Sequence, residues 1–293
     1  MDGRQVWPPN TNPEPPLSLE DFCARVWHHG LERYRDLPWR HTRDPYAIWI
    51  SEVMLQQTQV TRVDGRWQRW LERFPTTRVL AQAQPADVLE EWQGLGYNRR
   101  ALALHKAAGI IDSRPEGFPR ETRDLVALPG IGGATAAGIR AFAFNLPGVY
   151  LETNVRTVFL HELFPREEGV PDRQLVPLVE ASCSTEDARG WYYALLDYGT
   201  YLKSVLPNPS RRSKSHVRQS RFVGSHRQKR GELVRMLLAA RETGLALDDA
   251  VQGLGAFEQQ ANRPPVSRED VLGMLGELEQ EGFCRAADGV WTM

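Results

Sequence analysis

Apolar residues recur at helical spacing along most of the chain. Between residues 18 and 36 the run opens on Ser18, carries Glu20 and Asp21 in its first turn and sets Phe22, Val26 and Leu31 along one side, which predicts a capped amphipathic helix. Beyond LPWR and a turn at Asp44-Pro45, a second helix is predicted from about Tyr46 to Val63. Shorter helical stretches follow at 64–74, 78–83, 86–93, 98–113 and 121–128, divided by breaks such as Phe74-Pro75 and Gly94-Leu95-Gly96. No convincing period-two alternation occurs before the C-terminus, so the body is predicted to be all-α.

After residue 206 the pattern changes. Residues 207–225 are polar and basic with two prolines, and read as a connector laid over a surface. Helical patterns return at 226–243 and 267–281, and FCRAADGVWTM then places Asp288-Gly289 between two apolar runs, the signal of a tight hairpin. Helices followed by a terminal hairpin outline a winged-helix-like module at 226–293, a layout that docks on DNA or serves as a small packing or protein-interaction unit. The expected organisation is thus a leader at 1–17, a helical domain at 18–206, the connector and the C-terminal module.

Composition narrows the class. Of 293 residues, 41% are hydrophobic and 25% charged, as in a soluble globular protein, and no window approaches the length of a membrane helix. The N-terminus MDGRQVWPPNTNPEPP lacks an apolar signal core, so a flexible leader and cytoplasmic residence are expected, with no membrane partner. Three cysteines, Cys23, Cys183 and Cys284, lie too far apart for a disulfide framework or a local metal knuckle and read as buried small hydrophobes. The net charge of −1 hides an asymmetry: from Lys203 to Arg235 there are ten Lys or Arg against one acid, Glu232. Such a run suits phosphate binding, with Arg211, Arg212 and Lys214 as the candidate contacts; a solvated basic linker is the plainer alternative.

Three stretches carry candidate chemistry. In LPGIGG, Gly130, Gly132 and Gly133 stand between two helices, a spacing that turns backbone N–H groups outward to hold a phosphate without side-chain obstruction, though an ordinary helix corner also favours glycine. Some twenty residues later, in LETNVRTV, Glu152 lies just before a helix, where an acid also complements the helix dipole. In SEVMLQQTQV, Glu52 interrupts an apolar helical run and is followed by three glutamines.

In sequence and spacing LPWR, SEVMLQQTQV, GLGYNRRALALHKAA, LPGIGGATAAGI and LETNVRTV resemble the adenine DNA glycosylases of the MutY type, within the helix-hairpin-helix glycosylase superfamily, over roughly residues 18–205. The resemblance implies a two-lobed helical fold and hydrolysis of the N-glycosidic bond of an adenine mispaired with 8-oxoguanine or guanine. It casts Glu52 as the general acid that protonates the purine, and Glu152 as the carboxylate that stabilises positive charge on the deoxyribose. Gln57 and Tyr97 would wedge into the base stack as the target is flipped out. Arg35 and Trp39 match residues near the adenine pocket, and a tryptophan in LPW also suits a core anchor.

Departures from the family accompany the match. Glu152 stands where the family has Asp. Ala134 occupies the site of the Schiff-base lysine of bifunctional relatives, so the expectation is a monofunctional enzyme that leaves an abasic site. The four cysteines of the family's iron-sulfur cluster are missing after Asp197-Tyr198-Gly199, so no cofactor and no metal are expected. The C-terminal module is too short for the Nudix-like domain that reads 8-oxoguanine in relatives. The expected partner is double-stranded DNA containing a mispaired or damaged base, bound by a monomer in the bacterial cytosol or nucleoid. Excision of another damaged or deaminated purine, and catalytically silent DNA binding on the same scaffold, are the competing readings.

Overall fold

A computed structural model describes residues 17–217 and 221–293, so the expected leader falls outside the described residues except for Leu17. In chain order the helices are α1 (Leu19–Glu32), α2 (Pro45–Leu55), α3 (Val60–Val63), α4 (Arg66–Arg73), α5 (Thr77–Gln82), α6 (Pro85–Trp92), α7 (Arg99–Asp112), α8 (Thr122–Val126), α9 (Gly133–Phe144), α10 (Thr153–Glu162), α11 (Asp172–Ser182), α12 (Ala188–Val205), α13 (His226–Ala239), α14 (Leu247–Gln260) and α15 (Arg268–Gln280). Among the described residues, strands β1 (Leu245–Ala246), β2 (Arg285–Ala287) and β3 (Val290–Thr292) occur only near the C-terminus. Among the described residues no helix is long and apolar enough to cross a membrane.

The helical body is not one unit. Internal contacts gather the chain up to Arg35 with Val149–His216 into one unit, and Asp36–Gly148 with Val217–Met293 into another. The C-terminal residues therefore share a unit with Asp36–Gly148, although the sequence order suggests a separate domain from residue 226.

In the first unit α1 starts as its sequence asks, with Ser18 Oγ accepting from the Asp21 amide at 3.1 Å. Phe22 packs against Phe159 of α10, ring centroids 4.7 Å apart, and against Trp191 of α12 at 6.3 Å. Leu31, expected on the apolar side, is 76% exposed: the helix is ending there and the packed face stops at Gly30. Gly199 lets α12 approach α10, because a Cβ at this position would run into the Asn154 carbonyl. The segment after α12 is held to α10 by Arg212, whose guanidinium donates to the carbonyls of Leu160 at 2.7 Å and of Phe164. A bridge between Val170 and Ser213 secures it further.

In the second unit α2 is the central helix, with Tyr46 through Ser51, Val53 and Met54 all buried. Asp44 caps it, accepting from the amides of Tyr46 and Ala47. Tryptophans surround it: Trp67 donates to the Ala47 carbonyl at 2.9 Å, and Trp70 to the Tyr46 hydroxyl at 3.2 Å. The helix expected over Tyr46–Val63 is broken in two, because Gln57 adopts a left-handed backbone conformation with φ 53° between α2 and α3.

The last 68 residues show the winged-helix order of helix, strand, two helices and a two-stranded wing. The antiparallel sheet runs β1-β3-β2, with Leu245 opposite Trp291 and Ala287 opposite Val290. Asp288 (φ 51°) and Gly289 (φ 75°) make the expected two-residue hairpin loop, both left-handed as such a turn requires. Strand β1 and helix α14 were not expected from the sequence. Two residues are too few to show a period, and the glycines at 253 and 255 dilute the pattern of α14.

Candidate active site

Glu52 is the only charged residue of α2 and is half-buried on a helix whose neighbouring side chains are almost all buried. Such a position costs a carboxylate solvation, and a helix built for packing alone has no use for it. Past Glu52 the helix stops and the chain doubles into the two glutamines. Gln56 Nε2 donates to Thr135 Oγ1 of α9 at 2.9 Å, tying the end of α2 to the second helix of the glycine-rich hairpin.

Gln57 and Tyr97 share an uncommon backbone. Their φ values are 53° and 50°, a region that costs a non-glycine residue about 1–2 kcal/mol. Both side chains are exposed, Tyr97 by 39%, and both line one cavity. The two turns are held by a single guanidinium. Arg100 donates to the carbonyls of Val53 at 2.7 Å and Gln56 at 2.6 Å on one turn, and to those of Leu95 at 3.3 Å and Gly96 at 3.0 Å on the other. It thereby also caps the C-terminal end of α2, where a cation is favoured. Burial lowers its pKa to about 10, which leaves it charged at neutral pH.

The glycine-rich turn has the hairpin geometry. Leu125, Leu128 and Ile131 are buried, so α8 and α9 are pinned from beneath. Gly130 is required by its φ of 78° and by a close approach, since a Cβ there would lie 2.8 Å from that of Ala103. Gly132 and Gly133 are different: a Cβ on either meets nothing within 4 Å. Packing within the protein therefore does not demand glycine at either position.

Glu152 belongs to the first unit, where it caps α10. Its Oε1 accepts from the amides of Asn154 at 2.5 Å and Val155 at 2.9 Å. Burial pushes its pKa above the ordinary carboxylate value, opposed by those hydrogen bonds and by the charges of Lys203 and Arg156. Lys203 of α12 is half-buried in turn; burial pulls its pKa down, and Glu152 holds it up. Arg35 donates from Nε to Asp197 at 2.5 Å, and its own amide donates to the same carboxylate at 3.2 Å, so buried Asp197 fixes it in place. Trp39, in the second unit, is 4% exposed and sits edge-on to Trp67 in the hydrophobic core. Arg211 and Lys214 are exposed, whereas Arg212 is spent on the α10 carbonyls.

Arg100, Lys203 and Asp197 are site residues that the sequence reading missed. Each had a signal. Arg99 and Arg100 occupy the first turn of α7, where the helix dipole disfavours cations, and Asp197 lies within the apolar run YYALLDYG.

This hairpin and the helical body are those of a helix-hairpin-helix protein, and the model of HhH-GPD superfamily base excision DNA repair proteins matches residues 50–174. The adenine DNA glycosylase of Mycolicibacterium smegmatis is 35% identical over 239 residues, covering 75% of this chain and 81% of that protein. That of Mycobacterium tuberculosis is 33% identical over 263 residues, covering 79% and 84%. In fold, the chain superposes on an endonuclease III structure solved as a non-covalent DNA complex with a TM-score of 0.55 and 18% identity, over 65% of this chain and 90% of that one. The chain belongs to the adenine DNA glycosylase family, and is a DNA-binding DNA N-glycosylase.

Proposed function

We propose that this enzyme, acting as a monomer, removes adenine mispaired with 8-oxoguanine or guanine and leaves an intact abasic site. The observation that carries the reading is Glu52, one carboxyl set into an otherwise uncharged, buried helix directly before the strained turn of Gln57. Glu52 gives a proton to the departing purine and later orders the attacking water. Glu152, fixed by two backbone amides, stays ionised and holds the charge that develops on the deoxyribose. Arg35, oriented through Asp197, and Trp39, fixed by packing, are the residues that match the family's adenine pocket. With Ala134 in the hairpin, no amine there forms a Schiff base, which supports a monofunctional enzyme. A glycosylase for another purine is the second reading, favoured by Glu152 standing where relatives carry Asp. A panel of duplexes with adenine opposite 8-oxoguanine, guanine, cytosine and thymine, together with hypoxanthine-containing duplexes, tests both. Release of adenine only opposite the two guanine forms is expected; preferential release of hypoxanthine overturns the adenine assignment.

An iron-sulfur cluster does not fit the residues present. The chain has three cysteines where a four-thiolate set is needed. Cys284 is buried in the second unit, while Cys23 and Cys183 lie in the first against the carbonyls of Ser182 and Ser184. We infer that the segment after α12 is shaped instead by the Arg212 contacts, without metal.

Gln57 and the basic segment each give a test. Glycine at position 57 relieves strain of about 1 kcal/mol, but this is offset by the greater freedom of glycine in the unfolded chain. Gln57→Gly is therefore expected to melt within about 2 °C of wild type. Adenine release should nevertheless slow by about tenfold or more, for want of a wedge that offsets unstacking; a fully active variant rejects the wedge. For the basic segment, Arg211→Ala with Lys214→Ala should flatten the dependence of log K on log salt by about 2. Arg212→Ala should instead lower the melting temperature, because it strips donors from partly buried carbonyls. An unchanged salt slope in the double variant removes the segment from the DNA interface.

A further inference from the structure

The cavity beside Gln57 and Tyr97 is not made by the helical body alone. It measures about 740 Å³, and its opposite wall is the C-terminal module: Phe222, His226 and Arg227 at the entry to α13, with Phe283 behind them. Arg227 donates to the Tyr97 hydroxyl at 2.7 Å, and its guanidinium lies 5.6 Å from the Tyr97 ring centroid and 6.0 Å from that of Phe222. An aromatic, a guanidinium and a second aromatic thus line one face.

Three features of this wall are unexplained by packing. Phe222 is 57% exposed, and the module's core of Leu233, Val234, Leu237 and Leu238 does not need it. Arg227 stands in the first turn of α13, which carries no acid, so the helix dipole opposes this cation instead of holding it. The cavity is also lined by Arg62, Arg99, Arg100, Arg227 and Arg230 against one acid, Glu281, which Arg230 (2.6 Å) and Arg99 (3.6 Å) already share. A flat apolar group attached to an anion satisfies all three: the base stacks on Phe222, its acceptor edge meets the planar guanidinium fork, and its phosphate answers the excess charge.

We propose that the C-terminal module completes a nucleotide-binding cavity with Tyr97, and that Phe222 and Arg227 read the purine opposite the excised base. The inference rests on the adenine-excision reading for the choice of strand. It gives the short module the task of discriminating the opposite nucleotide, by stacking and by an arginine aimed at purine acceptors.

The test uses full-length protein carrying Glu52→Gln to prevent turnover, alone and with Phe222→Ala, Arg227→Ala or Arg227→Lys. Each is titrated against three duplexes: adenine opposite guanine, adenine opposite an abasic analogue, and a fully paired control. Both alanine variants are expected to lose about tenfold in affinity for the duplex with guanine opposite, while the other two duplexes change less than twofold. Arg227→Lys keeps the charge without the fork and should bind guanine almost as poorly as Arg227→Ala. Phe222 is exposed, so Phe222→Ala should melt with the parent and separates lost recognition from lost folding. Equal losses on all three duplexes would reduce Arg227 to a backbone phosphate contact, and no loss would discard the cavity; either result overturns the proposal. Because the readout is binding, wild-type protein that releases no adenine, beside a Glu52→Gln parent that still discriminates guanine, refutes the excision reading and leaves the cavity standing.

Discussion

Replacing Glu52 by glutamine should slow adenine release by at least a hundredfold while duplex affinity stays within about threefold of wild type. Glutamine matches the shape and polarity of the side chain but has no proton to give, and a positioned general acid contributes about 10²–10⁴ in rate. The structure makes the substitution mild in other respects. Glu52 is half-buried and α2 is anchored by Trp49, Ile50 and Met54, all fully buried, together with the Asp44 cap, so the variant should melt within about 2 °C of wild type. Single-turnover release of free base, followed alongside a melting curve and a binding isotherm, separates these effects. Undiminished release by Glu52→Gln would reject protonation by this residue.

Glu152 is expected to show two losses at once, and three variants separate them. In Glu152→Ala the amides of Asn154 and Val155 lose their acceptor; removing such a cap costs about 0.5–2 kcal/mol, or a fall of several degrees in melting temperature. Release should also slow by about a hundredfold or more, because a fixed charge next to a developing cation is lost. Glu152→Gln keeps an acceptor for the cap and should restore most of the melting temperature without the rate. Glu152→Asp retains the charge and caps well, and should recover both in large part.

The pH dependence follows from the direction of the shift. Burial raises the Glu152 pKa, so on the acid side the rate should fall while the pH is still above the range of an exposed carboxylate. Stability moves the opposite way. A raised folded-state pKa means that this group's contribution is complete below its unfolded value and is lost as pH rises through the folded one. The enzyme thus works where Glu152 is ionised at some cost to the fold. Loss of the acid limb in Glu152→Gln checks the assignment; an acid limb that survives in that variant belongs to another group.

Local signals carried much of this structure. Ser18 caps α1, Asp44 caps α2, the LPGIGG turn joins two helices, and Asp288-Gly289 closes the wing, each because the residue type and its position meet a backbone requirement. What the sequence concealed came from contacts remote along the chain. The run Tyr46–Val63 has helical periodicity throughout, yet it breaks at Gln57 because Arg100, from another helix, holds the carbonyls of a left-handed turn. Arg211, Arg212 and Lys214 look alike as a charge run; only the fold shows that Arg212 faces inward to Leu160 and Phe164. Likewise the partners of Arg35 and Trp39 are remote along the chain: Asp197 engages the first and Trp67 lies beside the second. Tyr97 stood out by resemblance, but its partner Arg227 lay hidden in a segment whose excess charge was all that the sequence displayed.

One product analysis addresses the central claim directly. Wild-type protein in excess is incubated with a duplex holding adenine opposite 8-oxoguanine, and both the released base and the state of the strand are followed over time. The account predicts stoichiometric free adenine from a strand that breaks only after alkali. A duplex that is bound but yields no adenine, or a strand cut as fast as the base leaves, would contradict it.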